Sequence, residues 1–234
     1  MSSTFEPERW AGDMMRETYR ATAREIAHRH LDAGDPLGWF EALYAQAGDD
    51  TSIIPWADLK PNPNLLDWLN QNGPGGSGLA LKVGSGLGDD AEELARRGFE
   101  TTAFDISESA IALSRSRFPD SVVSYVVADL FSAPDEWRSR FDLVLESYTL
   151  QVLPPALRAD AIRYISSFVA PGGILLVIAR GREPDDPEGK MPWPLTRNEL
   201  ALFRNHDLTE VSFEDYMDNE EPPVRRYRAT YCRG

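Results

Sequence analysis

Sulfur and imidazole are scarce in this 234-residue chain, which has one cysteine, Cys232, and three histidines, His28, His30 and His206. A single cysteine excludes an intramolecular disulfide and a multi-cysteine metal site, and no metal is expected. Long apolar runs are also missing. The longest aliphatic stretch, Ile174 to Ala179, falls far short of the roughly 20 residues that cross a bilayer. Positive charge is in deficit, with 24 Lys and Arg against 38 Asp and Glu and a formal net charge of −14. That field repels polyanions, so neither nucleic acid nor an anionic membrane surface is the expected partner. The first residues lack the basic-then-apolar layout of a signal peptide, so a cytoplasmic location is expected. What is present is ordinary for a globular protein: 42% hydrophobic and 26% charged residues, enough for one core and a small addition.

The chain changes character at the Gly-rich stretch Asn72 to Gly78. Before it the pattern is helical and aromatic. One helix is expected from Trp10 to about Leu31, a second from Pro36 to Ala47 with Pro36 in its first turn, and a short third from Leu65 to Leu69. After it, strands and helices alternate. Strands are expected at 79–83, 100–104, 122–127, 141–146 and 173–179. Helices are expected at 89–97, stopped by Gly98, from the cap Ser107 to Arg117, and from Pro154 to the stop at Pro171-Gly172-Gly173. The last helix presents Leu157, Ala161, Ile165 and Phe168 at helical spacing. Thr196 caps a helix to about Asn205, and 208–216 with 224–232 reads as an antiparallel hairpin. The expected fold is α/β: a Rossmann-like, doubly wound, mostly parallel seven-stranded sheet, with a C-terminal antiparallel hairpin and an N-terminal helical extension. Residues 1–61 form the extension and 62–234 the sheet domain.

The central motif is Val83-Gly84-Ser85-Gly86-Leu87-Gly88, between the first strand and its helix. Glycines let backbone approach a ligand closely, and a helix start offers free N–H groups. The spacing is Gly-x-Gly-x-Gly, one residue tighter than the dinucleotide pattern. Asp89 and Asp90 follow at once. They suit the helix dipole but would repel a pyrophosphate, so a cationic ligand without phosphate fits better. Stabilisation of the helix alone is the competing reading. Asp105, at the second strand end, can accept both hydroxyls of a ribose, or serve as a helix cap. After the third strand, Asp129 can reach an adenine amino group and Leu130 can cover its face. Glu146 ends the fourth strand. Ligands of open α/β sheets bind at the carboxyl ends of strands, so these residues should converge.

Leu79-Ala-Leu-Lys-Val-Gly-Ser-Gly-Leu-Gly88, Thr102-Ala-Phe-Asp-Ile-Ser107, Val127-Ala-Asp-Leu130 and Pro171-Gly-Gly173 together resemble class I S-adenosylmethionine (SAM) dependent methyltransferases. The resemblance covers about 62–234. It implies that SAM is the cofactor and S-adenosylhomocysteine the product, bound by Gly84, Ser85, Gly86, Gly88, Asp105, Ile106, Asp129, Leu130 and Glu146. A narrower likeness lies in Gly38-Trp39-Phe-Glu-Ala-Leu-Tyr44 and Pro55-Trp56-Ala-Asp-Leu-Lys-Pro-Asn-Pro63. These segments look like the N-terminal region of the thiopurine, thiol and halide methyltransferase group. That implies that Trp39 and Trp56 cover the cofactor and that a sulfur or other soft nucleophile is the acceptor. Packing of the N-terminal helices is the alternative for both tryptophans. One departure is Lys82, two before Gly84, where the superfamily often has an acid. Lys82 could snorkel, or pair with Asp89, Asp90 or Glu146.

Methyl transfer to carbon activated by a sulfonium needs alignment in a dry pocket, and a hydroxyl or protonated amine also needs a base. Glu146 and Tyr148 are the candidate catalytic groups by position. Arg16, Arg20, Arg24 and His28 line one face of the first helix. They read as a solvated face, or as a grip on an acceptor carboxylate. The expected protein is a small-molecule methyltransferase, a monomer or small homo-oligomer. The alternatives are a non-catalytic SAM-binding or regulatory protein, which Lys82 would favour, and a nucleotide-dependent oxidoreductase, which the glycine spacing disfavours.

Overall fold

The computed structural model describes residues 7–48, 50–73 and 77–234, with side chains of the first helix from residue 17 onward. Part of the Gly-rich stretch, and the side chains of Met15 and Arg16, lie outside the described residues. The chain forms two compact units, Met1–Asp58 and Leu59–Gly234.

In the first unit, α1 (Pro7–Asp32) packs on α2 (Gly38–Ala47). Ala23, Ile26 and Ala27 are buried on α1, and Trp39, Leu43, Tyr44 and Ala47 on α2. Both sets follow the spacing of one helical face. Pro36, expected inside α2, precedes it. The helix starts at Gly38 because Asp35 Oδ1 accepts the Gly38 amide at 2.9 Å. Two residues of the basic face of α1 have local partners. Arg24 donates to Glu17 at 2.7 Å, and His28 lies 3.3 Å from Asp32.

The second unit opens with α3 (Pro63–Asn72), which is longer than expected at both ends. Asn62 caps it, accepting from the Asn64 amide at 3.0 Å, and Pro63 takes the first helical position, where no N–H is needed. There follow β1 (Leu79–Val83), α4 (Asp89–Arg96), β2 (Glu100–Asp105), α5 (Glu108–Arg117), β3 (Ser124–Val127), β4 (Phe141–Ser147), α6 (Pro155–Phe168) and β5 (Val169–Arg182). A two-residue β6 (Leu195–Thr196), α7 (Arg197–Ala201), β7 (Leu208–Met217) and β8 (Arg225–Arg233) complete the chain. The main sheet order is β3-β2-β1-β4-β5-β8-β7, with β6 pairing β5 in addition. The first five strands are parallel. β8 runs antiparallel to β5 and to β7.

The sheet is covered on both faces. One side packs Leu65, Trp68 and Leu69 of α3 and Leu94 of α4 on Leu143, Leu145, Leu176 and Ile178. Trp68 Nε1 donates to Thr230 Oγ1 at 2.9 Å, which ties α3 to β8. In α6, Ala161, Ile165 and Phe168 are buried as the spacing predicts, Ile162 joins them, and Leu157 is only half-buried. Phe168 meets Phe104 and Trp137 edge-on, at 6.3 and 6.2 Å between ring centres.

Two expectations about α6 and β5 are corrected. The helix stops at Phe168, before Pro171-Gly172-Gly173, and β5 starts at Val169, because Val169 already pairs with Phe141. The register shifts between Phe141 and Leu143, so Pro-Gly-Gly forms an irregularity within the strand. A Cβ on Gly173 would lie 2.8 Å from Phe141 O and 2.9 Å from Ala170 O, so only glycine fits there.

Candidate cofactor site

The register brings the expected residues to one edge. Val83 pairs with Phe104 on one side and Glu146 on the other, and Asp105 pairs with Val127. The chain therefore leaves β1, β2, β3 and β4 at the same level. Gly84, Asp105, Asp129 and Glu146 stand at or just beyond the four carboxyl ends.

The glycine loop turns sharply. Gly84, Gly86 and Gly88 have φ of 62°, 55° and 91°, a region that L-residues other than glycine adopt at a cost. Sterics add a second requirement. A Cβ on Gly84 would collide with Thr149 Oγ1, and one on Gly88 with Tyr125 Oη. The loop is held from beneath. The Ser85 amide donates to Phe104 O at 2.7 Å and the Gly86 amide to Asp105 Oδ2 at 2.9 Å. Ser114 Oγ donates to Gly86 O at 2.9 Å.

Asp105 is buried, and burial pushes its carboxyl above the usual range, opposed by the backbone amides and Lys82. Its Oδ1 accepts from the Ser107 amide at 3.0 Å. The helix cap itself is Ser107, whose Oγ accepts the Ala110 amide at 3.0 Å. Asp105 thus buttresses the glycine loop, and Ile106 beside it is half-buried. Asp129 accepts from the Phe131 amide at 2.9 Å and starts a short 3-10 turn that buries Leu130.

The acidic pair after the loop is structurally committed. Asp89 receives two hydrogen bonds from Arg117, at 2.7 and 2.9 Å. Asp90 accepts from the Asn62 amide and from Ser147 Oγ, both at 2.8 Å. Arg117, beside this helix start, is therefore occupied by a carboxylate. The acidic pair disfavours a pyrophosphate, and the glycine cradle and acidic lining fit a sulfonium nucleoside.

Glu146 is fully buried. Its Oε1 accepts from the amides of Thr149 at 2.7 Å and Leu150 at 3.0 Å. Its Oε2 has no partner, and neither has the buried Ser85 Oγ. Burial pushes the Glu146 carboxyl up to about 7, opposed by those amides and by Lys82. Lys82 is buried as well and snorkels to the loop. Its Nζ donates to Val83 O at 2.8 Å and Gly84 O at 2.9 Å. Burial pulls its ammonium down, and the charges of Asp90, Glu146 and Asp105 hold it up. The basic residue is thus accommodated by two carbonyls and three carboxylates.

Tyr148 has φ of 66° and is half-buried. Its hydroxyl accepts from Asn64 Nδ2 at 3.2 Å, and the Arg226 guanidinium lies 5.1 Å from its ring centre. Burial raises its phenol, opposed first by Arg226. Sequence reasoning missed Asn64, which is buried, holds Tyr148 and accepts from Tyr216. It missed Thr149 too, whose Oγ1 donates to Val83 O at 3.2 Å. Neither belongs to a local motif. Trp39 and Trp56 lie in the first unit and meet edge-on at 6.0 Å, with Trp56 Nε1 donating to Tyr44 Oη at 2.9 Å.

An open parallel sheet that reverses direction of build at β1 and β4, closes with an antiparallel hairpin and carries this glycine loop is the class I methyltransferase fold. By sequence, residues 80–173 match a family model described as a methyltransferase domain. The ubiquinone biosynthesis O-methyltransferase of Pseudomonas paraeruginosa is 28% identical over 148 residues, 62% of this chain and 62% of that protein. The N-methyltransferase NodS from Bradyrhizobium japonicum, solved in complex with S-adenosylhomocysteine, superposes with a TM-score of 0.65 at 21% identity. That match covers 82% of this chain and 96% of NodS. The 1,6-didemethyltoxoflavin-N1-methyltransferase of Burkholderia thailandensis gives 0.61 at 17% identity, over 100% of this chain and 92% of that one. The chain spans less than two thirds of the length of the curated relatives it matches. No helix among the described residues is long and apolar enough to cross a membrane.

Proposed function

We propose that the chain transfers a methyl group from SAM to a small-molecule acceptor. The observation that carries this reading is the convergence of the positive-φ glycine loop, Asp105, Asp129 and Glu146 at four adjacent strand ends. SAM supplies a methyl carbon already activated by its sulfonium. Asp105 takes the ribose hydroxyls, Asp129 the adenine amino group and Leu130 one face of the base. The glycine loop lets the backbone approach the ligand. The net charge of −14 works against a nucleic-acid acceptor.

Acceptor chemistry follows from which base is available. Glu146 sits beneath the Thr149–Leu150 amides and serves as a positioning group. Tyr148, half-buried beside it, is the phenol that can contact an acceptor. A soft nucleophile such as a thiolate needs alignment and little else. The Trp39 and Trp56 segments, which resemble the thiol and halide group, support such an acceptor. The relatives named O-methyltransferases make a hydroxyl the competing class.

The test is calorimetric titration of the full chain with SAM and S-adenosylhomocysteine, with NAD as control. Micromolar binding of an adenosyl ligand without NAD binding is expected. If neither adenosyl ligand binds, the reading fails.

A further inference from the structure

The first unit carries a cavity of about 480 Å³ against the α1–α2 hairpin, within the size range of small-molecule pockets. Helical spacing builds it. Ile26, Arg29 and His30 lie on one face of α1, and Ala33 follows in the turn after the helix. Ala42 and Gln46, four apart, face them from α2. Packed helices stand about 8–10 Å apart, a gap that larger side chains fill. Ala33 and Ala42 leave it open.

The floor is apolar, since Ile26 is buried and each alanine presents only a methyl group. The polar groups divide by whether they are partnered. Asp35, on the turn, spends both carboxylate oxygens. Its Oδ1 accepts from the Gly38 amide at 2.9 Å, and its Oδ2 lies 3.0 Å from His30 Nδ1. His30 is tied by the same contact. Arg29 and Gln46 are exposed, at the mouth. Among the described residues, the side chain of neither makes a hydrogen bond or an ion pair. Arg29 is thus the cation of this cavity that has no carboxylate on it, and a guanidinium presents its donors as a planar fork. A cationic fork above an apolar floor matches a carboxylate on an apolar body. A bare ion would leave the floor unused, and a neutral apolar molecule would leave the fork unused.

We propose that this cavity binds a small organic carboxylate, of the size of an aromatic acid. Arg29 takes the carboxylate, the Gln46 side-chain amide donates a second hydrogen bond to it, and the body of the ligand rests on Ile26, Ala33 and Ala42. The net charge of −14 weakens binding of any anion, so the apolar contact is needed as well as the charge. The site lies wholly within the first unit and stands or falls independently of the adenosyl-binding reading.

The test uses benzoate as the probe, benzamide as its neutral counterpart and inorganic phosphate as the bare anion. Each is titrated into the isotope-labelled full chain while the backbone amide signals are followed by NMR. Benzoate is expected to shift the amides of Arg29, Ala33, Ala42 and Gln46 and to saturate them below about 10 mM. Benzamide, which lacks the charge-assisted hydrogen bonds, is expected to bind about tenfold more weakly. Phosphate is expected to shift none of the four. In Arg29→Met, benzoate affinity should fall about tenfold while benzamide affinity stays within about twofold; unchanged signals elsewhere show that the variant is folded. Ala42→Leu fills the cavity and should abolish saturation by both organic probes. Equal affinity for benzoate and benzamide overturns the proposal, as does unchanged benzoate affinity in Arg29→Met. Phosphate binding as tight as that of benzoate overturns it too, because it marks an anion contact without an organic pocket. Benzoate binding that survives Ala42→Leu, or a wild type whose four amides stay unmoved up to about 10 mM benzoate, has the same consequence.

Discussion

Replacing Glu146 with Gln should change how stability depends on pH, and the sign follows from its burial. In the folded chain burial lifts the carboxyl to about 7, from an ordinary glutamate value of 4.5. Between those values the native state keeps a proton that the unfolded chain has released. The native state binds more protons there, so stability falls as pH rises. The contribution is complete below pH 4.5 and gone above about pH 7. The interval, about 2.5 pH units at about 1.4 kcal/mol each, corresponds to about 3–4 kcal/mol. For a chain of this size that is a shift in Tm of about 10 °C. Glutamine keeps an acceptor for the Thr149 and Leu150 amides and has no proton to lose. The wild type should therefore lose about 3–4 kcal/mol relative to Glu146→Gln between pH 4.5 and 7.5. Urea unfolding at half-unit pH steps measures it. Lys82, pulled down by burial, works in the opposite direction, gaining stability as pH rises. Wild-type and variant curves that stay parallel across this interval would refute the argument that burial raises the Glu146 carboxyl.

Two further changes test the loop. Gly84→Ala puts a methyl group against Thr149 Oγ1 at φ of 62°; a loss of about 2 kcal/mol is expected, read by thermal unfolding, together with loss of S-adenosylhomocysteine binding in titration. Asp105→Asn leaves an NH₂ facing one of the two amides, Gly86 or Ser107, that the carboxylate now accepts; a donor facing a donor costs about 1–3 kcal/mol, and adenosyl affinity should fall about tenfold in the same titration.

How far the fold can be read from the sequence depends on where each residue finds its partner. The glycine loop, the Ser107 cap and the Thr196 capping box with Glu199 are local devices, so sequence reasoning reaches them. The end of α6 is not local. Pro171-Gly172-Gly173 has the composition of a helix stop, but the stop comes earlier because Val169 pairs with Phe141, 28 residues back in the chain. β8 shows the same limit in its charges. Arg226 and Arg228 are each 3% exposed, and nothing in Arg225-Arg-Tyr-Arg228 announces it. They can be buried because the hairpin brings Asp218 to Arg226 at 2.6 Å and Glu214 to Arg228 at 2.6 Å.

The site divides along the same line. Residues that follow directly from a strand end, namely Gly84, Asp105, Asp129 and Glu146, can be picked out because topology alone sends them to one edge. Residues that close the site from elsewhere cannot. Asn64 reaches Tyr148 across 84 positions and Tyr216 across 152, and Thr149 matters only because Val83 O lies beside it. Lys82 lies between these cases. The sequence shows it as an anomaly within the motif. The register, which sets Val83 opposite Glu146, supplies one of the three acids, with Asp90 and Asp105, whose charges hold the buried ammonium up. An unexpected charge in a strand is therefore best judged against the neighbouring strand, since its cost is set by the nearest opposite charge in space.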